Sequence, residues 1–89
     1  MAKLYVHHKV ADYEAWRKVF DEATGTRTRY GSTGQQVYRA ASDPNDITIL
    51  TSWHNLEGAR AYGQSPELRE AMQRGGVISQ PDVAFLEEV

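Results

Sequence analysis

The chain has 89 residues and a formal net charge of −2, with 40% hydrophobic residues, 25% charged residues and no cysteine. Because the charges are interspersed, no basic stripe is present that could neutralise phosphates, which argues against a nucleic-acid partner. The lack of cysteine excludes a disulfide framework and a cysteine-ligated metal site. No apolar run reaches membrane-spanning length. We therefore expect one cytoplasmic domain over residues 1–89, with no membrane contact.

The first third of the chain predicts a strand, a helix and a loop. "KLYVHHKV" carries residues that suit a pleated surface, and Asp12 follows it as a helix cap. Apolar residues then recur at three- and four-residue steps, which indicates a helix with one buried stripe. That stripe consists of Tyr13, Trp16, Phe20 and Ala23. "GTRTRYGSTG" contains three glycines and several hydroxyl residues, and it predicts a frayed helix end followed by a loop.

The remainder predicts two paired strands, an interrupted helix and a last strand. "QQVYRAA" and Ile47–Trp53 flank the turn sequence "SDPND", so these strands should pair antiparallel. Asn55 is placed to cap a helix that breaks near Gly63, and Ser65 followed by proline and glutamate is a new helix start. The pair Gly75 and Gly76 ends that helix, and "DVAFLEEV" is the last strand.

The resulting order, β-α-β-β-α-β, predicts an α+β fold of ferredoxin-like plan, with a four-stranded antiparallel sheet and both helices on one face. Neither alternation of the strand Ile47–Trp53 carries charge, so neither face of the sheet is suited to water. Two sheets packed face to face would bury their open sides and enclose a mostly apolar cavity. We therefore expect a homodimer.

Four stretches resemble small bacterial proteins of the dimeric α+β barrel superfamily, which contains the antibiotic-biosynthesis-type monooxygenases. They are "HKVADYEAWRKVFD", "DPNDITILTSW", "SPELREAMQRGGV" and "FLEEV". The resemblance covers nearly the whole chain and implies the dimeric α+β barrel. The superfamily includes cofactor-independent oxygenases of phenolic polyketides, haem-degrading monooxygenases, polyketide cyclases and members without known activity.

Two family patterns can be transferred to this sequence residue by residue. In haem-degrading members, a helix tryptophan and a haem-ligating histidine correspond to Tyr62 and Met72. In the plant polyketide cyclase, a tyrosine and histidine pair corresponds to Tyr62 and Leu68. The resemblance thus implies a site at Tyr62, whereas neither family histidine is present here.

His8 is the main candidate for a catalytic residue. It shares a strand face with Leu4 and Val6, and the resemblance puts it among residues that line the cavity of relatives. An imidazole takes and gives protons near neutral pH, so His8 could remove a proton from a substrate. The alternative is a histidine that only packs at the dimer seam. His7 points to the opposite face, towards the helices or solvent, and we interpret it as structural.

Other residues could bind the substrate. Tyr62 could donate a hydrogen bond to an enolate or phenolate oxygen, Trp53 could wall a planar ligand, and Tyr38 could bind a ligand oxygen at the cavity rim. Val6 would contribute apolar wall. Each of the three aromatic residues could instead have a purely structural role. No metal-ligand spacing or glycine-rich phosphate loop occurs in the sequence, so we expect neither metal nor cofactor.

Two functions remain open at this point. The first is a cofactor-independent enzyme, of monooxygenase or cyclase type, in which His8 and Tyr62 act on a small aromatic or polyketide-like molecule. The second is a non-catalytic dimeric module that binds a small hydrophobic ligand or stabilises an assembly. A histidine on an apolar strand face favours the enzyme, because burying an ionisable group is costly unless it is partnered or used.

Overall fold

The computed structural model describes residues 2–89, which form one antiparallel sheet with helices on one face. The elements, in chain order, are β1 (Ala2–Lys9), α1 (Tyr13–Glu22), α2 (Thr24–Arg29), β2 (Ser32–Ala40), β3 (Asp43–Trp53), α3 (Leu56–Gly63), α4 (Pro66–Arg74) and β4 (Asp82–Glu87). The strand order across the sheet is β2-β3-β1-β4. The predicted ferredoxin-like α+β fold is confirmed. Within residues 2–89, no helix is both long and apolar enough to cross a membrane.

Three helix starts lie where the cap residues predicted them. The Asp12 carboxylate accepts from Glu14 N at 3.2 Å, the Asn55 side chain accepts from Gly58 N at 2.8 Å, and Ser65 Oγ accepts from Leu68 N at 3.1 Å. Each contact satisfies a backbone donor that has no partner within its own helix. The interruption between α3 and α4 is therefore built by a new cap at Ser65.

The predicted frayed end and loop after α1 are wrong for residues 25–29, which belong to helix α2. Two threonine hydroxyls bond backbone carbonyls in this region: Thr24 Oγ1 donates to Asp21 O at 2.8 Å, and Thr28 Oγ1 donates to Thr24 O at 3.0 Å. Arg27 anchors the helix because its side chain is buried. Tertiary packing thus overrides the weak helix propensity of glycine and threonine.

The predicted turn "SDPND" is displaced, because β3 already begins at Asp43 and the chain reverses at residues 41–42. The turn chemistry survives locally: Asn45 N donates to Asp43 Oδ1 at 3.0 Å. Asn45 also ties the strand to the start of α1, since its Oδ1 accepts from Tyr13 N at 3.0 Å and its carbonyl accepts from Val10 N at 2.9 Å. Pro44 is the second residue of β3, and the lack of a backbone N–H is tolerated near the start of a strand.

The core lies between the sheet and the helices. Ala2, Leu4, Val6 and His8 of β1 are opposite Trp53, Thr51, Ile49 and Ile47 of β3, and all eight are buried. The other face of the sheet, which we call the open face, carries Tyr5, Tyr38, Leu50, Ala84 and Leu86. No helix of the described chain covers the open face, and Tyr38 and Leu86 are 52% and 41% exposed.

The orientation predicted for the two histidines is wrong. His8 faces the helices and is buried, whereas His7 lies on the open face. His7 Nε2 is 2.5 Å from Asp46 Oδ1 and His7 Nδ1 is 3.3 Å from Asp82 Oδ2, so the imidazole bridges strands β3 and β4. These two hydrogen bonds raise the pKa of His7. The physical reason for the orientation is that β1 carries Lys3, Tyr5, His7 and Lys9 on one side, and turning that side away from the helices keeps both ammonium groups out of the core.

Candidate functional site

A small apolar cavity lies between the sheet and the helices, on the side that His8 faces. Its volume is about 50 Å³. Strands β1 and β3 form its floor with Leu4, Val6, His8, Ile49 and Thr51. Helices α1, α3 and α4 form its roof, which includes Trp16, Phe20, Tyr62, Leu68 and Met72. The sheet thus presents one imidazole and the helices one phenol to a space that is otherwise almost entirely hydrocarbon.

His8 is held in the floor of this cavity with only 3% of its surface exposed. The indole ring of Trp16 lies edge-on to the imidazole at a centroid distance of 6.0 Å. Burial lowers the pKa of His8, because desolvation penalises the charged ring. Among residues 2–89, His8 Nδ1 is buried and has no hydrogen-bond partner. The side chain is therefore a neutral imidazole with an uncommitted ring nitrogen.

Tyr62 reaches the cavity from the buried side of α3. Its ring lies 5.4 Å from the Trp53 ring and 5.5 Å from the Tyr30 ring, measured between centroids. Burial raises the pKa of Tyr62, and the neighbouring Arg27 guanidinium opposes that rise. Tyr62 is therefore a neutral phenol at physiological pH, able to donate a hydrogen bond.

His8 and Tyr62 line the same cavity towards opposite ends. His8 pairs with Ile47, whereas Tyr62 packs on Trp53, which pairs with Ala2 at the other end of β1. Both side chains are therefore available to a single molecule bound in that cavity.

The remaining sequence candidates are distributed differently. Val6 lines the cavity. Trp53 is fully buried beside it, and its Nε1 donates at 2.8 Å to Thr51 Oγ1, which itself donates to Leu4 O at 3.3 Å. Thr51 is therefore committed to structural hydrogen bonds. Tyr38 lies on the open face and is not brought together with His8 and Tyr62.

A second, more open depression adjoins the cavity. It has a volume of about 330 Å³ and lies between the α3–α4 junction and the start of β4. Leu68 and Met72 belong to the walls of both spaces. These two side chains consequently separate the cavity from an outer vestibule, which is lined also by Gly63, Arg69, Gln80 and Pro81.

Sequence reasoning missed most of the roof and one charged neighbour. Trp16 and Phe20 were predicted only as a helix stripe, yet the same stripe closes the cavity. Arg27 was assigned to a loop, although it is buried and its Cζ lies 3.9 Å from the centroid of the Phe20 ring. The aromatic residues of α1 recur at steps of three and four residues, and this spacing was the available signal for the roof. Nothing in the sequence marks Arg27 as buried.

The residues that line the cavity do not have the composition of a metal site. In the described part of the chain, no group of three or more His, Cys, Asp or Glu side chains is arranged to hold a metal ion. At the positions where relatives were expected to carry a histidine, Leu68 and Met72 point into the cavity. A hydrocarbon and a thioether at those positions suit an apolar ligand.

Comparison with known proteins identifies the family and the fold. A family model described as antibiotic biosynthesis monooxygenase matches residues 1–74. No match was found among curated protein sequences. A solved structure from Bordetella bronchiseptica, assigned to the antibiotic biosynthesis monooxygenases, superposes with a TM-score of 0.82 at 16% identity over 99% of this chain and 96% of that one.

Two further structures are similar. SnoaB from Streptomyces nogalater, described as a cofactor-independent oxygenase, has a TM-score of 0.80 at 12% identity and covers 99% of this chain and 92% of its own. A protein from Deinococcus radiodurans assigned to the same monooxygenases has a TM-score of 0.76 at 18% identity, covering 100% and 93%. At these identities the superpositions establish the fold alone. Because the family model spans residues 1–74 of the 89, the chain belongs to the antibiotic biosynthesis monooxygenase family.

Proposed function

We propose that the protein is a cofactor-independent oxygenase that takes a small aromatic ketone or phenol into the cavity between sheet and helices. The observation that carries the proposal is the neutral, buried His8, whose Nδ1 has no partner among residues 2–89, in a cavity that is otherwise apolar. A buried polar group without a partner costs stability, so its retention suggests a use. Membership of the monooxygenase family supports the same reaction class.

In the proposed reaction, His8 acts as general base and Tyr62 as hydrogen-bond donor. His8 removes a proton from a carbon next to the substrate carbonyl, and the Tyr62 hydroxyl stabilises the enolate oxygen that forms. The carbanion then reduces molecular oxygen by two electrons, a carbon–oxygen bond forms, and the proton returns to give a hydroperoxide. Loss of water from the hydroperoxide leaves a new carbonyl group. Every atom and electron comes from substrate and oxygen.

Substrate access requires movement of side chains. The cavity of about 50 Å³ is smaller than ligand pockets, which generally measure about 300–1,000 Å³. Leu68 and Met72 separate it from the vestibule of about 330 Å³. We propose that these unbranched or singly branched side chains swing aside to join the two spaces, since Met in particular adapts to irregular volumes at small cost.

A homodimer is part of the proposal. The open face carries Tyr5, Tyr38, Leu50 and Leu86, with Lys3 and Lys9 near the two ends of β1. A second copy could cover the apolar part of this face by packing sheet against sheet. Small domains gain from such burial, because a chain of this size buries only about 60% of its surface alone. In this arrangement the space between the sheets is the subunit interface, and the catalytic cavity lies within each subunit.

The experiment that tests the function is oxygen uptake with 2-tetralone, a bicyclic ketone with an acidic benzylic C–H beside its carbonyl. We expect uptake by the purified, metal-free protein above the rate of the spontaneous reaction, with loss of about 10²–10⁴-fold in His8→Gln. His54→Gln, which alters an exposed histidine, is the matched control and should leave the rate unchanged. Uptake that is equal in wild type and His8→Gln would remove His8 from the mechanism.

A non-catalytic ligand-binding module is the second candidate, favoured by Leu68 and Met72 at the two positions where the family patterns carry a histidine. A cyclase is the remaining enzymatic alternative within the same site. Binding of 2-tetralone without oxygen uptake or product would support the module. A rearranged product formed without oxygen consumption would support the cyclase.

A further inference from the structure

Arg27 is a buried arginine close to the cavity. Only 2% of its surface is exposed, its Nη2 donates to Thr24 Oγ1 at 3.1 Å, and its guanidinium lies over the Phe20 ring. Among residues 2–89, Arg27 Nε has no hydrogen-bond partner, and no carboxylate oxygen lies within 4.0 Å of the guanidinium. Asp21, whose charge acts on Arg27, is itself bound to Arg17 at 3.1 Å.

A buried guanidinium without a counter-ion lowers the stability of the fold. Its presence here therefore suggests a function for the charge. Removing a guanidinium from water is costly, and a buried charge normally has a counter-ion and a full set of hydrogen bonds. The face of Phe20 offsets part of that cost through a cation–π contact. In the described chain, however, the side-chain oxygens that face Arg27 are both neutral hydroxyls, those of Thr24 and Tyr62.

The position of Arg27 relates the charge to the cavity. Phe20 and Tyr62 both line the cavity, and Arg27 lies against both of them, one layer behind the wall. A guanidinium has donors only, so in a hydrogen bond between Arg27 and Tyr62 the tyrosine oxygen accepts, and its hydroxyl proton is free to point towards an acceptor in the cavity. Charges interact strongly through a medium from which water is excluded.

We infer that Arg27 and Tyr62 form an oxyanion-binding end of the cavity, and that the ligand is an aromatic molecule with an anionic oxygen, a phenolate or a carboxylate. Tyr62 donates to that oxygen directly. Arg27 is a positioning residue that supplies the counter-charge from behind Tyr62 and orients its hydroxyl. The inference rests on the proposed function for the aromatic class of the ligand, but it concerns binding and does not require turnover.

Binding of benzoate and benzamide tests the inference, because the two probes have nearly the same shape and differ in charge. Calorimetric titration should show that the wild type prefers benzoate by at least about tenfold. In Arg27→Met, which keeps the apolar stem over Phe20, that preference should fall to near one while benzamide binding stays the same. Arg29→Met removes one charge from the exposed part of the same helix and should keep the preference.

Two further measurements keep the inference falsifiable. Ligand-free Arg27→Met should unfold at the same or a higher urea concentration than the wild type, because an unpaired buried charge is lost. If Arg27→Met fails to fold, Tyr62→Phe should reduce the preference for benzoate in its place. The inference is overturned if the wild type binds neither probe at millimolar concentration, if it does not distinguish them, or if Arg27→Met retains the full preference.

The outcomes separate this inference from the proposed reaction. Preference for benzoate that depends on Arg27, together with no oxygen uptake from 2-tetralone, would keep the oxyanion site and reject the oxygenase. Oxygen uptake that depends on His8, together with equal binding of benzoate and benzamide, would keep the oxygenase and reject the oxyanion site.

Discussion

Replacing His8 with leucine should stabilise the protein and abolish its activity at the same time. Leucine removes the buried Nδ1, which has no partner within the described residues, and fills the same apolar floor. A buried unsatisfied polar group costs about 1–3 kcal/mol, so His8→Leu should raise the free energy of unfolding at neutral pH by an amount in that range. A histidine kept only for packing would instead give a loss of stability.

The pH dependence of the free energy of unfolding is a second, independent test of the burial of His8. Burial lowers the pKa of His8, so below about pH 6.5 the unfolded chain takes up a proton that the folded chain still resists. The wild type therefore loses stability as the pH falls from about 6.5 towards the lowered pKa of the folded state, by at most about 1.4 kcal/mol per pH unit. His8→Leu has no titrating group at this position. The difference between its free energy of unfolding and that of the wild type should therefore increase as the pH falls through that window.

His7→Gln is the matched control, because the pKa of His7 is shifted in the opposite direction from the pKa of His8. Its hydrogen bonds to Asp46 and Asp82 raise the pKa of His7. Its stabilising contribution is present below about pH 6.5 and is lost as the pH rises through the raised pKa. His7→Gln should therefore lose stability relative to the wild type at acidic pH and approach it at alkaline pH.

Urea unfolding of the three proteins at a series of pH values is the assay, with tryptophan fluorescence as the signal. Trp16 contacts His8 and Trp53 is fully buried, so both report on the core. Curves for wild type and His8→Leu that run parallel between about pH 5 and pH 7 would show that His8 titrates as it does in the unfolded chain, and the account of a desolvated imidazole would be wrong.

Three further predictions concern the Tyr62 hydroxyl, the boundary between cavity and vestibule at Met72, and the open face at Leu86. Tyr62→Phe should lower oxygen uptake from 2-tetralone by about 10²–10³-fold with little change in stability, as measured by steady-state rates and urea unfolding; an unchanged rate would exclude Tyr62 from enolate stabilisation. Met72→Ala should lower the KM for larger aromatic ketones, because it widens the boundary between cavity and vestibule, and kinetics across a size series checks this. If KM is unchanged, access runs elsewhere. Leu86→Arg should convert a dimer into a monomer in sedimentation experiments, because a buried, unpaired charge would oppose packing of the open faces. A wild type that is already monomeric at micromolar concentration contradicts the dimer.

Much of the fold could be predicted from the sequence because local signals and packing agree. Asp12, Asn55 and Ser65 make the helix caps that their positions predicted, and the alternation of Ile47, Ile49 and Trp53 matches a buried strand face. The helix α2 could not be predicted, since glycine and threonine favour loops and only tertiary packing holds it.

The site was harder to predict because its geometry depends on which face of the sheet the helices cover. Both alternations of Ile47–Trp53 lack charge, so that stretch alone does not decide the question. The deciding signal is on β1, where Lys3 and Lys9 share the face of His7 and leave His8 facing the helices. The burial of Arg27 has no counterpart in sequence, because a single arginine between threonines is usually exposed.

The central claim, that the ligand binds between sheet and helices beside His8, is tested most directly by a crystal structure of the protein with 2-naphthol, a stable analogue of the enol of 2-tetralone. We expect electron density for the rings between Val6 and Met72, with Leu68 displaced and the naphthol oxygen within hydrogen-bond distance of Tyr62. Density on the open face, against Leu50 or Tyr38, with the inner cavity unchanged, would contradict the claim.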